Sequence, residues 1–399
     1  MKEEKFVGVV LGGDMNSYAV ARAFYEEYKI KTILIGKRPL YPTQYSKLIE
    51  PYYNENIMDD NVLIESLKNI NEKYPNKIKI LFGNTDFYVK HIINNKKDIL
   101  NISDTFIVPI VDVKLYDKLF QKASFYELCD KYGINHPKTK ILDLEKGDID
   151  KFKIPFEYPI FMKPSDTVLY SKYDFDGKQK GYKINNHDEF IKKIKQVKES
   201  GYNKEFIIQE YINGNDDTMF VYTAYVSKDN EVQAFTGGKI LMHDRTPELI
   251  GNYNAITNAY DKELCMQLKE FLESIKFYGI CHFDVQYDTL RKKYYVFEMN
   301  IRQGRSNYYT LASGVNLAKY IVDDYIYNKK KELYIANKEF TASVVPKWML
   351  KKIINKNNKI VNFSRFTLAN YDMNIMRLIY QLKSDSIVYK NYLKYNKNV

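Results

Sequence analysis

An α/β layer followed by an α+β region of antiparallel sheets is the architecture this sequence predicts, and three observations predict it. The first is a strand–turn–helix–strand pattern at the N-terminus. The apolar run FVGVVL at 6–11 stops at Gly12-Gly13-Asp14, an amphipathic stretch follows over about 17–28, and a second apolar run, TILIG, fills 32–36. That order marks a βαβ unit and a parallel sheet. The second is the change of texture after GINHP at 133–137, where a helix stop meets a turn signal. The third is the succession of strand-like segments beyond it: YPIFMK at 158–163, EFIIQEYI at 205–212, FVYTAYV at 220–226, then the pair GICHFDVQY and YYVFEMNI.

Taken in order, the first layer should add strands at 78–82 (IKILF) and 106–110 (FIVPI) and a helix from about Tyr116 to Tyr132. In the second region, helices are expected near 187–199, 261–277 and 315–327. From about 330 the composition turns basic and aromatic and includes Trp348, the single tryptophan. The sequence assigns that stretch no task. The boundaries that follow are 1–115, 116–212, 213–330 and a C-terminal extension at 331–399.

Composition excludes some classes. No segment approaches the roughly 18 consecutive apolar residues of a membrane span, and MKEEKFVGVV lacks the apolar run of a signal peptide. Cys129, Cys265 and Cys281 lie far apart and the five histidines are scattered without HExxH. A disulfide framework and a zinc cluster are therefore not expected, and the reducing cytoplasm is the expected compartment. The 61 basic and 50 acidic side chains leave a net charge of +11, which favours anionic partners such as nucleotides, phosphorylated substrates, nucleic acid or an anionic membrane face.

The last strand pair carries the clearest chemistry. In 280–288, Cys281, Phe283, Val285 and Tyr287 make one face, leaving His282, Asp284, Gln286 and Asp288 on the other. In 294–302, Tyr295, Phe297, Met299 and Ile301 oppose Glu298, Asn300 and Arg302. A turn centred on residue 291 places Asp284 across from Glu298. Opposed side chains have Cβ atoms roughly 5 Å apart, and like charges there repel. Two readings account for the pair: a solvated sheet face of mixed charge, or a divalent metal held by Asp284, Glu298 and the Asn300 amide oxygen. Mg²⁺ commonly takes one or two carboxylates and completes its shell with substrate phosphates. Arg302 and Arg305 offer bidentate contacts to phosphate or carboxylate oxygens.

At this point HFD at 282–284 and FEMN at 297–300 resemble the metal motif of the ATP-grasp superfamily, a strand Asp followed by Glu-x-Asn. Other segments resemble its landmarks in the same order. Lys122, in DKLFQKASFYELCDKYGINHPKT, looks like the residue that opens the first ATP-binding subdomain. Lys163, in FMKPS, resembles the strand lysine that contacts the α and β phosphates. QEYI (Gln209, Glu210, Tyr211, Ile212) resembles the hinge that reads adenine, and Asp216 stands where an acidic residue holds the ribose hydroxyls. Lys239 would be a further phosphate contact. The segment 164–181, where the superfamily often has a glycine-rich phosphate loop, has glycine only at 177 and 181. Some of these ligases also carry an arginine where this chain has His282.

The beginning, VVLGGDMNSYAVARAFYEEYKIKTILIGK, and the tail, NYDMNIMRLIYQLKSD through YKNYLKYNK, resemble the D-aspartate ligase type. The resemblance implies a pre-ATP-grasp domain at 1–115, two ATP-grasp subdomains at 116–212 and 213–330, and the extension at 331–399. It also implies ATP and Mg²⁺, with Mn²⁺ as the alternative. The activity implied is an ADP-forming carboxylate–amine ligation through an acyl phosphate. It would join a D-amino acid, D-aspartate foremost, to the side-chain amine of a nucleotide-linked or lipid-linked muropeptide. The metal would lie on Asp284, Glu298 and Asn300, and Lys163, Lys239 and Arg302 would stabilise the transferred group. Arg305 or Ser306 would hold a carboxylate or the acyl phosphate.

The turn Gly12-Gly13-Asp14 with Asn16 lies at a strand end and helix start, where anions gather. Gly13, Asp14 and Asn16 are thus substrate candidates, and Asp14 or Asn16 serves equally as a helix cap. Three alternatives stand beside the ligase. Another amino acid or peptide could be the substrate of the same fold. An NADP-dependent oxidoreductase would use Arg38, but GGDMNS is not GxGxxG. A nucleic-acid-binding protein would use the charge and the 37 tyrosines, but these are dispersed rather than striped.

Overall fold

The structure is a computed structural model describing residues 4–246, 249, 251–354 and 357–395. It divides into two compact units. The larger holds Met1–Ile134, Asn215–Val285 and Glu298–Val399, and the smaller holds Asn135–Gly214 and Gln286–Phe297.

In the larger unit β1 (Phe6–Leu11), β2 (Thr32–Gly36), β3 (Ile49–Tyr53), β4 (Ile78–Gly83) and β5 (Phe106–Ile107) form a parallel sheet in the order β3-β2-β1-β4-β5. Every residue of β1 and β2 is buried, which is why both read as unbroken apolar runs rather than alternating ones. The chain order reverses at β1, between β2 and β4, so the carboxyl end of β1 is a switch point where ligands gather in such sheets. β3 was invisible in the sequence because Pro51 sits in it; at a sheet edge proline costs no ladder bond. The expected strand at 106–110 is cut to two residues, Pro109 interrupting it, and Ile110 makes only an isolated bridge to Gly279. The helix expected over 116–132 is two helices, Val113–Phe120 and Lys122–Lys131, broken where Gln121 is extended (φ −79°, ψ 122°). Lys122 thus begins its helix.

In the smaller unit β6 (Thr139–Asp143), β7 (Ile160–Pro164), β8 (Tyr182–Ile184) and β9 (Glu205–Glu210) form an antiparallel sheet in the order β6-β9-β7-β8. The helix His187–Glu199 buries Phe190, Ile194 and Val197 against Ile160, Met162, Phe206 and Ile208. Each such side chain contributes roughly 1.5–3 kcal/mol on removal from water.

An eight-stranded sheet completes the fold: β10 (Met219–Val226), β11 (Val232–His243), β12 (Tyr253–Asn258), β13 (Gly279–Asp288), β14 (Lys293–Asn300), β15 (Tyr334–Ile335), β16 (Thr341–Ser343) and β17 (Phe363–Arg365), ordered β14-β13-β10-β11-β12-β16-β17 with β15 on β11. Residues beyond 330, expected as an extension, therefore supply three strands of this sheet. A helix, Ile375–Tyr395, follows them, and the tail residues 396–399 lie outside the description. Asp372 ties this region inward: buried, it accepts from the Tyr18 hydroxyl at 2.8 Å, the Ser46 hydroxyl at 2.7 Å and the Lys47 amide at 2.9 Å, with Arg377 Nε 3.3 Å away.

Candidate active site

The polar side of the β13–β14 pair is covered in part. On β13 His282 is 5% and Asp288 0% exposed, and Asp284 is half-buried, whereas Glu298 on β14 is exposed. Asp288 serves the turn, accepting from the amides of Leu290 and Arg291 at 2.9 and 2.8 Å. Asp284 is the centre of a polar group. The Tyr253 hydroxyl donates to Oδ1 at 2.7 Å and Asn300 Nδ2 to Oδ2 at 3.2 Å, and His282 Nε2 lies 3.7 Å from Oδ1. Burial works against the Asp284 charge, but hydrogen bonds from His282, Tyr253 and Glu298 hold its carboxyl below the ordinary value. Burial and the neighbouring Asp284 push the Tyr253 hydroxyl well above its usual range, so it remains a donor. His282 is in turn set by the Thr223 hydroxyl, 2.9 Å from Nδ1.

Arginine and lysine flank this group. Arg302 grips Asp86 in a two-bonded fork, Nε–Oδ1 2.7 Å and Nη2–Oδ2 2.9 Å, and Nη2 also reaches Asn300 Oδ1 at 3.3 Å. Burial opposes its charge, yet Asp86 holds it above the ordinary value. Lys122 Nζ lies 3.8 Å from Glu298 Oε2. The structure thus gathers Asp284, Glu298, Asn300, Arg302 and Lys122 within the larger unit.

A second polar group lies at the carboxyl ends of β1 and β4. Asp14 caps the helix Met15–Tyr28, accepting from the amides of Asn16 and Ser17 at 2.9 and 3.3 Å, and takes Asn84 Nδ2 at 2.7 Å. Gly12 has φ +109°, and a Cβ there would stand 2.0 Å from Asn84 Oδ1, so only glycine lets the turn close on Asn84. The Gly13 carbonyl accepts from the Thr43 hydroxyl at 2.8 Å. Asn16 Nδ2 donates to the carbonyls of Asn84 and Gln303 at 3.1 and 2.8 Å. Burial raises the Asp14 carboxyl, against the Ser17 amide and Arg305. Burial likewise pushes the Arg305 guanidinium down, against Asp14 and Asp244. Among the described residues Arg305 Nη1, Asn16 Oδ1 and Asn84 Oδ1 are buried without a hydrogen-bond partner. Ser306 Oγ donates to the Tyr253 carbonyl at 2.6 Å, so it anchors the residue that holds Asp284.

The remaining predicted residues are placed separately. Asp216 is ion-paired with Arg245, with His243 Nε2 3.9 Å away. Lys239, on β11, reaches Asn358 Oδ1 at 3.3 Å. In the smaller unit Lys163 lies on β7 opposite Ile207 of β9. Gln209 Nε2 donates to the Thr139 hydroxyl at 2.9 Å. Glu210 accepts from the Lys138 amide at 2.9 Å and pairs with Arg291 Nη2 at 2.9 Å. The Lys183 ammonium sits over the Tyr211 ring, 4.3 Å from its centroid, and Ile212 is buried. The segment 164–181 contains a short helix, Thr167–Ser171, and buries Tyr170 with its hydroxyl 2.6 Å from that of Tyr182.

No family model matches the chain. It is 35% identical over 335 residues to the D-aspartate ligase of Enterococcus faecium (strain Aus0004), covering 82% of this chain and 79% of that one. The chain belongs to the D-aspartate ligase family. Solved structures share its fold at low identity. The N5-carboxyaminoimidazole synthetase of Staphylococcus aureus matches with TM-score 0.54 and 16% identity over 77% of this chain and 74% of that one. The L-amino acid ligase of Bacillus licheniformis matches with TM-score 0.54 and 12% identity over 81% and 75%. The biotin carboxylase domain of Hydrogenobacter thermophilus 2-oxoglutarate carboxylase, solved with magnesium ADP, matches with TM-score 0.58 and 14% identity over 84% and 72%. The fold is ATP-grasp, with a parallel N-terminal sheet and antiparallel sheets after it. This member of the D-aspartate ligase family is an ATP-dependent carboxylate–amine ligase that forms C–N bonds.

Sequence reasoning missed Tyr253, Asp86 and Asn84. Asn84 and Asp86 follow β4 as Gly12 and Asp14 follow β1, on adjacent parallel strands. The switch-point rule that singled out the first turn points equally to the second. Tyr253 carried no signal, since one tyrosine among 37 does not mark itself.

Proposed function

We propose that this ligase joins the carboxylate of a D-amino acid, D-aspartate foremost, to the side-chain amine of a nucleotide-linked or lipid-linked peptidoglycan precursor in the cytoplasm. The observation that carries the ATP chemistry is the pairing of β13, with Asp284, and β14, with Glu298, beside Asn300, Arg302 and Lys122. The choice of amino acid rests on the E. faecium relative, which is a D-aspartate ligase.

The donor set fits Mg²⁺ or Mn²⁺. Two carboxylates, and an amide between Asp284 and Arg302, offer hard oxygen ligands. Among the described residues no three His, Cys, Asp or Glu side chains gather, so the proposed set is two carboxylates and one amide. Held by Asp284, Glu298 and Asn300, a bound metal would supply Lewis acidity and charge neutralisation.

The substrate carboxylate attacks the γ-phosphorus of ATP, the bond to the ADP oxygen breaks, and an acyl phosphate and ADP result. The amine then attacks the acyl carbon, phosphate leaves, and the nitrogen loses a proton. No nucleophilic side chain is needed; the chain's task is positioning and charge neutralisation. Arg302 is oriented by Asp86 toward the transferred group, with Lys163 and Lys239 as further cations. By the resemblance, nucleotide contacts are assigned to Lys122, Lys163, Gln209, Glu210, Tyr211, Ile212 and Asp216.

The amino acid is assigned to the group around Gly13, Asp14, Asn16, Arg305 and Ser306. Arg305 Nη1 offers a spare donor for a carboxylate. Asn16 Oδ1 and Asn84 Oδ1 offer spare acceptors for an ammonium. An amino acid needs both.

The test is ADP release with Mg²⁺ while D- and L-amino acids are screened against a lysine-containing muropeptide. D-aspartate should give the highest turnover. Turnover only with another amino acid would move the substrate, and no pair-dependent turnover would defeat the reading.

A further inference from the structure

The first half of the helix Ile375–Tyr395 is amphipathic the wrong way round. Its inward face is polar there: Arg377, Gln381 and Asp385 are buried, Gln381 Nε2 donating to Asp385 at 2.8 Å and Arg365 pairing with Asp385 at 2.6 Å; farther on, Val388 and Tyr392 pack against the core. Its outward face is aliphatic. Ile375 (68% exposed), Ile379, Leu382 (59%) and Leu393 recur at helical spacing along one stripe. Beside it, Trp348 of the helix Lys347–Ile353 is 55% exposed, its ring 6.2 Å from that of Tyr389. Isolated exposed aliphatics need no explanation, but Ile375, Ile379 and Leu382 on successive turns do.

Charge says what covers the stripe. Residues 346–399 hold eleven Lys and Arg against two Asp, a net +9 of the chain's +11. Both aspartates are consumed internally, Asp372 with Arg377 and Asp385 with Arg365. Lys347, Lys351, Lys352, Lys383, Lys390 and Lys394 are exposed, and each lacks an ion-pair partner among the described residues. Lys383 and Lys390 flank the aliphatic stripe on the helix surface. A second copy of the chain would bring the same positive field against this one, which opposes self-association. No helix among the described residues is long and apolar enough to cross a membrane.

We propose that this face docks on an anionic lipid surface, the helix lying in the plane of the headgroups with its aliphatic stripe inserted and its lysines on lipid phosphates. A Trp–Tyr pair at the edge suits the same boundary, where amphipathic rings concentrate. Apolar insertion and lysine attraction add, and neither alone anchors a protein firmly.

Trp348, the chain's only tryptophan, is a built-in reporter. The full chain is mixed with vesicles of phosphatidylcholine, or of phosphatidylcholine with phosphatidylglycerol, and followed by co-sedimentation and Trp348 emission. Binding to the anionic vesicles, weakened by salt, with a blue shift of emission is expected. Ile379→Glu/Leu382→Glu and, separately, Lys383→Glu/Lys390→Glu should each weaken binding by about tenfold or more. All four positions are exposed, so the thermal midpoint should not move. No vesicle binding, or equal binding to neutral and anionic vesicles, would overturn the proposal. So would light scattering showing that the apolar variant turns a dimer into a monomer while vesicle binding persists.

Discussion

Arg302 and Asp86 are joined by two parallel N–H···O bonds of 2.7 and 2.9 Å, although 216 residues separate them in the chain. The fork fixes the guanidinium plane beside Asn300. Asp86→Asn keeps the shape but loses the charge-assisted pair. We expect kcat to fall about tenfold or more, because misdirected groups cost the transition state more than the ground state. The dissociation constant for ATP, read by calorimetry, should change little. A fall in ATP affinity with kcat intact would assign Asp86 to binding instead.

On the proposed metal site, Glu298→Gln should abolish metal-dependent ADP release, since a neutral amide is a weaker ligand than a carboxylate. Mn²⁺ titration followed by electron paramagnetic resonance should show loss of a bound ion. Unchanged metal binding would remove Glu298 from the ligand set.

Tyr253→Phe deletes the 2.7 Å donor to Asp284 but leaves every carboxylate in place. Losing such a partner behind a metal ligand commonly costs about 10–100-fold in metal affinity. The Mg²⁺ concentration for half-maximal turnover should rise accordingly, with saturating kcat recovered at high Mg²⁺.

Asp372→Asn strips the charge from a buried acceptor of Tyr18, Ser46 and Lys47 and leaves Arg377 without its counter-ion. Breaking a buried pair from one side costs about 3–5 kcal/mol. The urea midpoint should fall while the slope of the transition is unchanged.

Glu50 gives a pH signature. Burial would raise its carboxyl, but hydrogen bonds from Lys73, Tyr52 and Tyr74 lower it to about 2. A carboxyl lowered on folding stabilises the protein above its unfolded value and loses that contribution as pH falls toward the folded one. Glu50→Gln should therefore be less stable than the parent at neutral pH. The gap between their unfolding curves should close between roughly pH 4.5 and 2.

Much of the fold was legible where one physical cause dominated. Full burial made β1 and β2 unbroken apolar runs, and period-two alternation exposed the β13–β14 pair together with Asp284, Glu298 and Asn300. Legibility failed where distant contacts decide. Pro51 hid an edge strand, and the break at Gln121 left no propensity signal. The helix Ile375–Tyr395 could not be read because its aliphatic side faces outward, the reverse of what periodicity assumes. In the site, Lys122 and Asp216 were picked by resemblance. Their partners Glu298 and Arg245 are set by folding, which spacing along the chain does not encode.

β16 pairs with β12 through Ala255–Ser343, Ile256–Ala342 and Thr257–Thr341. Cutting the chain at residue 330 to isolate the catalytic part would strip that row of partners and leave β12 as an open strand border. Such a border recruits strands from other molecules. Truncated protein should therefore collect in inclusion bodies, and any minimal version for screening or crystallisation has to retain the segment through β17.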